Sequence, residues 1–222
     1  MIPVYSGYSK LTTRFGYNSR ILEAIKWHYK ICKDAISDGQ LNSKLWLLDR
    51  IKGIDLGTVF ICAGWYGILA TMMFEDENIY VDKIRSFDLD DNCWKIAEDF
   101  NRPWTKDNWK FKASTLDITT MQFPTKYKTY RANGTSLILD EMPDTIINTS
   151  CEHIEKFTEW FNAIPKGKLV ALQTNNYFDL PEHVNCVKNL AEFKEQAPLS
   201  DVIYEGELKL EKYTRYMIIG YI

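Results

Sequence analysis

Two of the three histidines in this chain follow a glutamate, at Glu152-His153 and Glu182-His183. A neutral imidazole accepts a proton near pH 7, and a carboxylate close by can orient or charge it. Glu152, His153 and His183 are therefore candidates for general-base work, or for holding a divalent cation. A second set of residues is spaced for a nucleoside. Ala63-Gly64-Trp65-Tyr66-Gly67 lies between an apolar run and a helical pattern. In that setting glycines let backbone approach a ligand, and helix N–H groups face it. About 20 residues further on, Asp88 closes another apolar run, at the spacing where a nucleoside-binding fold puts an acid on ribose hydroxyls. Each feature also has a plainer reading: an ordinary turn, a solvated acid at a strand end, two surface or capping histidines.

These residues need elements to hold them. Ile21 to Ala35 carries a helical pattern, with Gly39 as its stop, and Ser43 to Ile51 places Leu45, Leu47, Leu48 and Ile51 largely on one side of a second helix. From Thr58 the rhythm changes to short strands alternating with helices. The spacing predicts strands over Thr58–Cys62, Ile84–Phe87, Trp109–Ala113, Thr145–Thr149 and Lys168–Gln173. Helices are expected over Ile68–Phe74, Asn92–Phe100 and Glu152–Phe161. Such alternation means a mostly parallel sheet covered on both faces. Val202–Leu208 and Thr214–Tyr221, joined by a short turn, form a hairpin, so the last strand runs antiparallel to its neighbour.

Composition narrows the function. With 222 residues, 45% of them hydrophobic, the chain buries a sizeable core. A net charge of -3 offers no general attraction for phosphate, so nucleic acid is disfavoured as a partner. Five scattered cysteines without a CxxC pair make neither a disulfide framework nor a zinc site, and the reading is a reduced, cytoplasmic protein. Val59 to Phe74 is uncharged but shorter than the ~20 residues a membrane span requires, so no membrane partner is expected.

Five parallel strands followed by a terminal hairpin resemble the class I S-adenosylmethionine-dependent methyltransferases, over roughly residues 58–222. The resemblance implies an α/β, Rossmann-like, doubly wound sheet of seven strands, mostly parallel, with the antiparallel terminal hairpin. Residues 1–57 would be a helical N-terminal extension, in which Tyr5, Tyr8, Arg14, Phe15 and Tyr17 are candidates for a lid. It implies S-adenosylmethionine as the cofactor, its methionine end over Gly64, Trp65, Tyr66 and Gly67, and its ribose on Asp88. The adenine amino group would meet Asp117, and the ring Ile118; without a ligand, Asp117 suits an Asx turn equally well. The family's acidic-x-Gly-x-Gly-x-Gly pattern is altered here: Trp65 and Tyr66 occupy positions that are usually small, and Ile61 or Cys62 stands where the carboxylate is expected.

Beyond the fourth strand, Asn148-Thr149-Ser150-Cys151 is a distant echo of the amino-methyltransferase motif, which makes Asn148 a candidate. Glu152-His153-Ile154 is similar to the Glu-His signature of ubiquinone-type O-methyltransferases and small-RNA 2′-O-methyltransferases. In the RNA enzymes a further metal-binding Glu precedes it by three residues, where this chain has Thr149. The implied reaction is methyl transfer to an oxygen or nitrogen of a small-molecule acceptor. Two alternatives stay open: another reaction on the same cofactor, such as cleavage or group transfer, and a non-catalytic assembly or interaction module.

Overall fold

Thr58-Val59-Phe60-Ile61-Cys62 is buried at every position, as a parallel strand covered on both faces must be. The computed structural model describes residues 6–222. Three helices, α1 (Ser6–Phe15), α2 (Arg20–Cys32) and α3 (Asp38–Ile51), precede that strand, β1 (Thr58–Cys62). The chain then alternates through α4 (Ile68–Glu75), β2 (Lys83–Asp88), α5 (Cys93–Phe100), α6 (Arg102–Lys106) and β3 (Phe111–Thr115). A β-hairpin follows, made of β4 (Thr125–Tyr130) and β5 (Ser136–Glu141). After it come β6 (Thr145–Asn148), α7 (Phe157–Ala163), β7 (Leu169–Asn175), α8 (Leu190–Gln196), β8 (Asp201–Lys209) and β9 (Thr214–Tyr221).

Seven strands form one sheet in the order β3-β2-β1-β6-β7-β9-β8. The first five are mutually parallel, and β9 runs antiparallel to both β7 and β8. This is the expected Rossmann-like architecture, terminal hairpin included. Side chains alternate between two cores, as the two-residue period of a strand requires. Val59, Ile61, Ile84 and Ile147 join α1 to α5 on one face, while Phe60, Cys62, Phe87 and Ile146 join α7, α8 and the β4–β5 hairpin on the other.

The N-terminal helices share the first of these cores, with Leu11, Ile21, Ile25, Leu47 and Leu48 all fully buried in it. Arg14 of α1 donates to Asp76 at the end of α4 and, at 2.9 Å, to Asp49 of α3. Arg14, Phe15 and Tyr17 do not line the cavity described below, and Tyr5 and the side chain of Tyr8 lie outside the described part of the chain. No helix among the described residues is long and apolar enough to cross a membrane.

Three local expectations need correction. Gly39 does not stop a helix; it lies in the first turn of α3, and the break comes earlier, at a 3-10 turn over Asp34–Ile36. A Cβ at Gly39 would sit 2.9 Å from the hydroxyl of Tyr213, so the glycine serves close approach. The third strand starts at Phe111 because Asn108 and Trp109 both take left-handed backbone in the preceding turn. Glu152 and His153 lie on a 3-10 turn, Cys151–His153, and α7 begins only at Phe157. The β4–β5 hairpin was not anticipated at all.

Candidate functional site

The strand order reverses between β1 and β6, and a ligand crevice is expected beyond the strand ends at such a point. A cavity of about 580 Å³ lies there, bordered by Trp65, Asp88, Asp117, Ile118, Ser150 and His153. A narrow side cleft of about 20 Å³ adjoins it, sharing Gln40, Ala63, Trp65 and Ser150 with the main cavity. Gly64, Tyr66, Thr149 and Lys44 line this cleft.

The β1–α4 loop has an unusual backbone. Ala63, Trp65 and Gly67 all take left-handed conformations, with φ of 57°, 49° and 70°. For alanine and tryptophan that conformation costs about 1–2 kcal/mol each, so the surroundings must enforce it. The amide of Gly64 donates to Phe87 O at 2.9 Å, that of Trp65 to Asp88 Oδ2 at 2.8 Å, and that of Gly67 to Gly64 O at 3.0 Å. The two glycines serve packing. A Cβ on Gly64 would lie 2.1 Å from Ser86 Oγ, and one on Gly67 2.8 Å from Asn101 Nδ2. Trp65 and Tyr66, stacked with centroids 5.2 Å apart, face the two cavities.

Asp88 ends β2 at the cavity edge. Its carboxylate accepts from Trp65 N and, at 3.1 Å, from Asp90 N. Burial raises its pKa, against the pull of those amides. Asp117 caps a 3-10 turn over Ile118–Thr120, and its Oδ1 accepts from Thr119 N at 2.9 Å and Thr119 Oγ1 at 2.7 Å. The Asx turn and the cavity position thus coexist in one residue.

Asn148 does not line the cavity. It is fully buried, and its Oδ1 accepts from Ser150 N at 2.8 Å, shaping the turn that brings Ser150 to the cavity edge. His153 and His183 do meet, their rings edge to face with centroids 4.6 Å apart. His153 Nδ1 contacts Glu182 O at 3.0 Å, and His183 Nδ1 contacts Tyr177 O at 2.7 Å. A carbonyl only accepts, so both rings carry a proton on Nδ1, and in its neutral form each would have its lone pair on Nε2.

Glu152 is 1% exposed and sits behind the histidines. Its Oε1 accepts from Asn175 Nδ2 at 2.6 Å and Arg215 Nη2 at 3.1 Å, while Oε2 is buried without a partner among the described residues. One ligating atom from each of Glu152, His153 and His183 lies within 4.8 Å of the other two.

Lys44, Gln40 and Arg215 were not singled out from the sequence. Arg215, 1% exposed, donates to Thr149 O at 2.7 Å as well as to Glu152. Lys44, 7% exposed, donates to Gln40 Oε1 at 2.6 Å. Its burial, reinforced by Arg215 and opposed by Glu152, lowers its pKa to about 7. The signal for Lys44 was present: it falls on the stripe of Leu41, Leu48 and Ile51, where a helix buries apolar side chains.

No protein-family model matches the chain, and no curated protein matches its sequence. Solved structures do match in shape. A chain from the complex containing the Haloferax volcanii Trm112 methyltransferase activator superposes with a TM-score of 0.60 at 11% identity, over 90% of this chain and 97% of that one. The N-methyltransferase NodS from Bradyrhizobium japonicum WM9 gives 0.56 at 8% identity, over 84% and 98%. Magnesium protoporphyrin IX methyltransferase from Synechocystis PCC 6803, solved with S-adenosylhomocysteine, gives 0.52 at 12% identity, over 96% and 99%. At these identities the likeness is one of fold: the chain has the Rossmann-like, seven-stranded architecture of these methyltransferase structures.

Proposed function

We propose that the protein binds S-adenosylmethionine in the cavity beyond β1, β2 and β3 and transfers its methyl group to an oxygen or nitrogen of a small molecule. The observation that carries this reading is the convergence of Asp88, Asp117 and the left-handed β1–α4 loop on one cavity of about 580 Å³. That volume suits a nucleoside cofactor, since small-molecule sites run to roughly 300–1,000 Å³. Asp88 would accept from the ribose hydroxyls, Asp117 from the adenine amino group, and Ile118 would pack on the ring. The loop Gly64–Gly67 would carry the methionine end. The cofactor supplies an electrophilic methyl on a sulfonium centre.

The chain's own part is alignment, exclusion of water and removal of the acceptor's proton. His153, on the cavity wall, would offer the Nε2 lone pair of its neutral form for that proton, while the Glu182 carbonyl on Nδ1 and the edge-to-face ring of His183 orient it. The same three groups suit a divalent cation, a second reading favoured by the unpartnered Oε2 of Glu152 and by both Nδ1 atoms resting on carbonyls. A small acceptor fits the acidic balance of the chain better than nucleic acid.

The test is calorimetry with S-adenosylhomocysteine, followed by product analysis of S-adenosylmethionine incubated with candidate nucleophiles. Binding with S-adenosylhomocysteine as product supports methyl transfer; methylthioadenosine as product would mean cleavage. His153→Ala should lower turnover ~10²–10⁴-fold with cofactor affinity nearly intact. Activity lost in chelator and restored by a divalent ion would favour the cation.

A further inference from the structure

Lys44 is a cation buried beside the β1–α4 loop without a carboxylate in salt-bridge contact among the described residues. Its Nζ reaches Gln40 Oε1 at 2.6 Å and Gln40 O at 3.5 Å, which leaves one of its three donors without an acceptor among the described residues. The neighbouring charges do not compensate it. Arg215 and Glu152 pair with each other at 3.1 Å, so the buried trio of Lys44, Arg215 and Glu152 has an unmatched positive charge whenever Lys44 is protonated. A buried ammonium is costly unless something pairs with it.

The side cleft supplies the place for such a partner. Lys44 lines it with Gly64, Trp65, Tyr66, Thr149 and Ser150, and among the described residues no aspartate or glutamate borders it. At about 20 Å³ it has room for one water-sized group, such as one oxygen of a carboxylate whose carbon stays at the mouth, and excludes a ring. It opens towards the main cavity along the shared residues Gln40, Ala63, Trp65 and Ser150. Ile61, one of the two residues at the position where the resemblance leads one to expect an acid, also lines the cleft and offers Lys44 no carboxylate.

We propose that Lys44, positioned by Gln40, forms a carboxylate-binding subsite at the inner end of the cavity and receives the α-carboxylate of the cofactor's amino-acid end. This rests on the cofactor reading above. It makes the protein selective for the carboxylate: a ligand with only an ammonium at that end meets a like charge, and one truncated at the thioether gains nothing from Lys44.

The experiment is calorimetric titration of S-adenosylhomocysteine and of 5′-methylthioadenosine, which lacks the amino-acid portion, into the wild type, Lys44→Met and Gln40→Glu. The wild type should bind S-adenosylhomocysteine more tightly than 5′-methylthioadenosine. Lys44→Met should weaken S-adenosylhomocysteine by about 10- to 100-fold, the range for a charged hydrogen bond, and leave 5′-methylthioadenosine within about threefold. Gln40→Glu keeps the lysine but gives it an internal carboxylate, and should weaken S-adenosylhomocysteine selectively too. Retained 5′-methylthioadenosine binding also shows that each variant is folded. Equal loss of both ligands in the variants, or loss of neither, overturns the subsite and leaves the cofactor reading standing. Failure of both ligands to bind the wild type overturns the cofactor reading itself, and this subsite with it.

Discussion

The backbone amide of Trp65 donates to Asp88 Oδ2 at 2.8 Å, tying the β1–α4 loop to the end of β2. One carboxylate therefore both holds the loop in its left-handed path and faces the cavity where a ribose would sit. Asp88→Ala removes both functions. S-adenosylhomocysteine affinity should fall by about 1.5–3 kcal/mol, as for loss of hydrogen bonds to a charged acceptor. Amide exchange at Trp65 should accelerate in the unliganded variant. Unchanged affinity in calorimetry would show that the ribose lies elsewhere.

Ala63 has a φ of 57°, a conformation glycine adopts freely and a β-branched residue tolerates worst. Ala63→Val should lower unfolding stability by about 1–3 kcal/mol. Ala63→Gly should unfold no earlier than the wild type. Thermal melts of the two variants decide it, and equal stability of valine and glycine would contradict the assigned backbone.

Glu141 anchors the β4–β5 hairpin to β2. Arg85 donates to it at 2.6 and 3.0 Å, Lys83 at 2.9 Å, and the hydroxyl of Tyr127 also donates. Burial works against the charge, but these donors outweigh it and hold the pKa at about 2. The folded value lies below the unfolded one near 4.5, so between them the unfolded chain binds more protons. The carboxylate's contribution is complete above about pH 4.5 and drains away as pH falls towards 2. Glu141→Gln should cost about 3–5 kcal/mol at pH 7, because Arg85 stays buried without its counterion. Its stability should also vary less than the wild type's from pH 4.5 to 2, measured by urea unfolding.

Lys44 gives a dependence of the same sign at higher pH, where folding costs less once the lysine is neutral. Its pKa falls from 10.5 to about 7 on folding, with Arg215 pushing the same way as burial and Glu152 opposing. Above pH 7 the folded lysine is neutral while the unfolded one still binds a proton, so stability rises with pH, by at most about 1.4 kcal/mol per unit. Cys62 and Cys151, whose thiols burial pushes up, begin to subtract near pH 9, which confines the window to about pH 7–8.5. Lys44→Met should flatten the slope in that window and raise stability at pH 7. A slope unchanged from the wild type would show that Lys44 is charged in the folded protein throughout.

What was legible in the sequence was local. β1 and β9 run over the expected residues, and Asp88 and Asp117 reach the cavity because a strand end fixes where the next side chain goes. The β4–β5 hairpin was hidden by its chemistry. Thr125, Tyr127 and Thr129 point inward from β4, so no apolar alternation marks the strand, and the inward Glu141 finds its partners 56 and 58 residues away. The polar floor of the site was hidden in the same way. Arg215 and Glu152 are 63 residues apart, and the pairing of β7 with β9 sets Arg215 beside Asn175, whose amide also holds Glu152. Lys44 was the exception, a lysine on an apolar stripe that the pattern could have flagged.

The most direct test is a crystal structure of the protein grown with S-adenosylhomocysteine at saturating concentration. The account predicts adenine against Ile118, the ribose hydroxyls within hydrogen-bonding distance of Asp88, and the sulfur turned towards Ser150 and His153. A nucleoside bound elsewhere, or a cavity that stays empty at saturation, would contradict it.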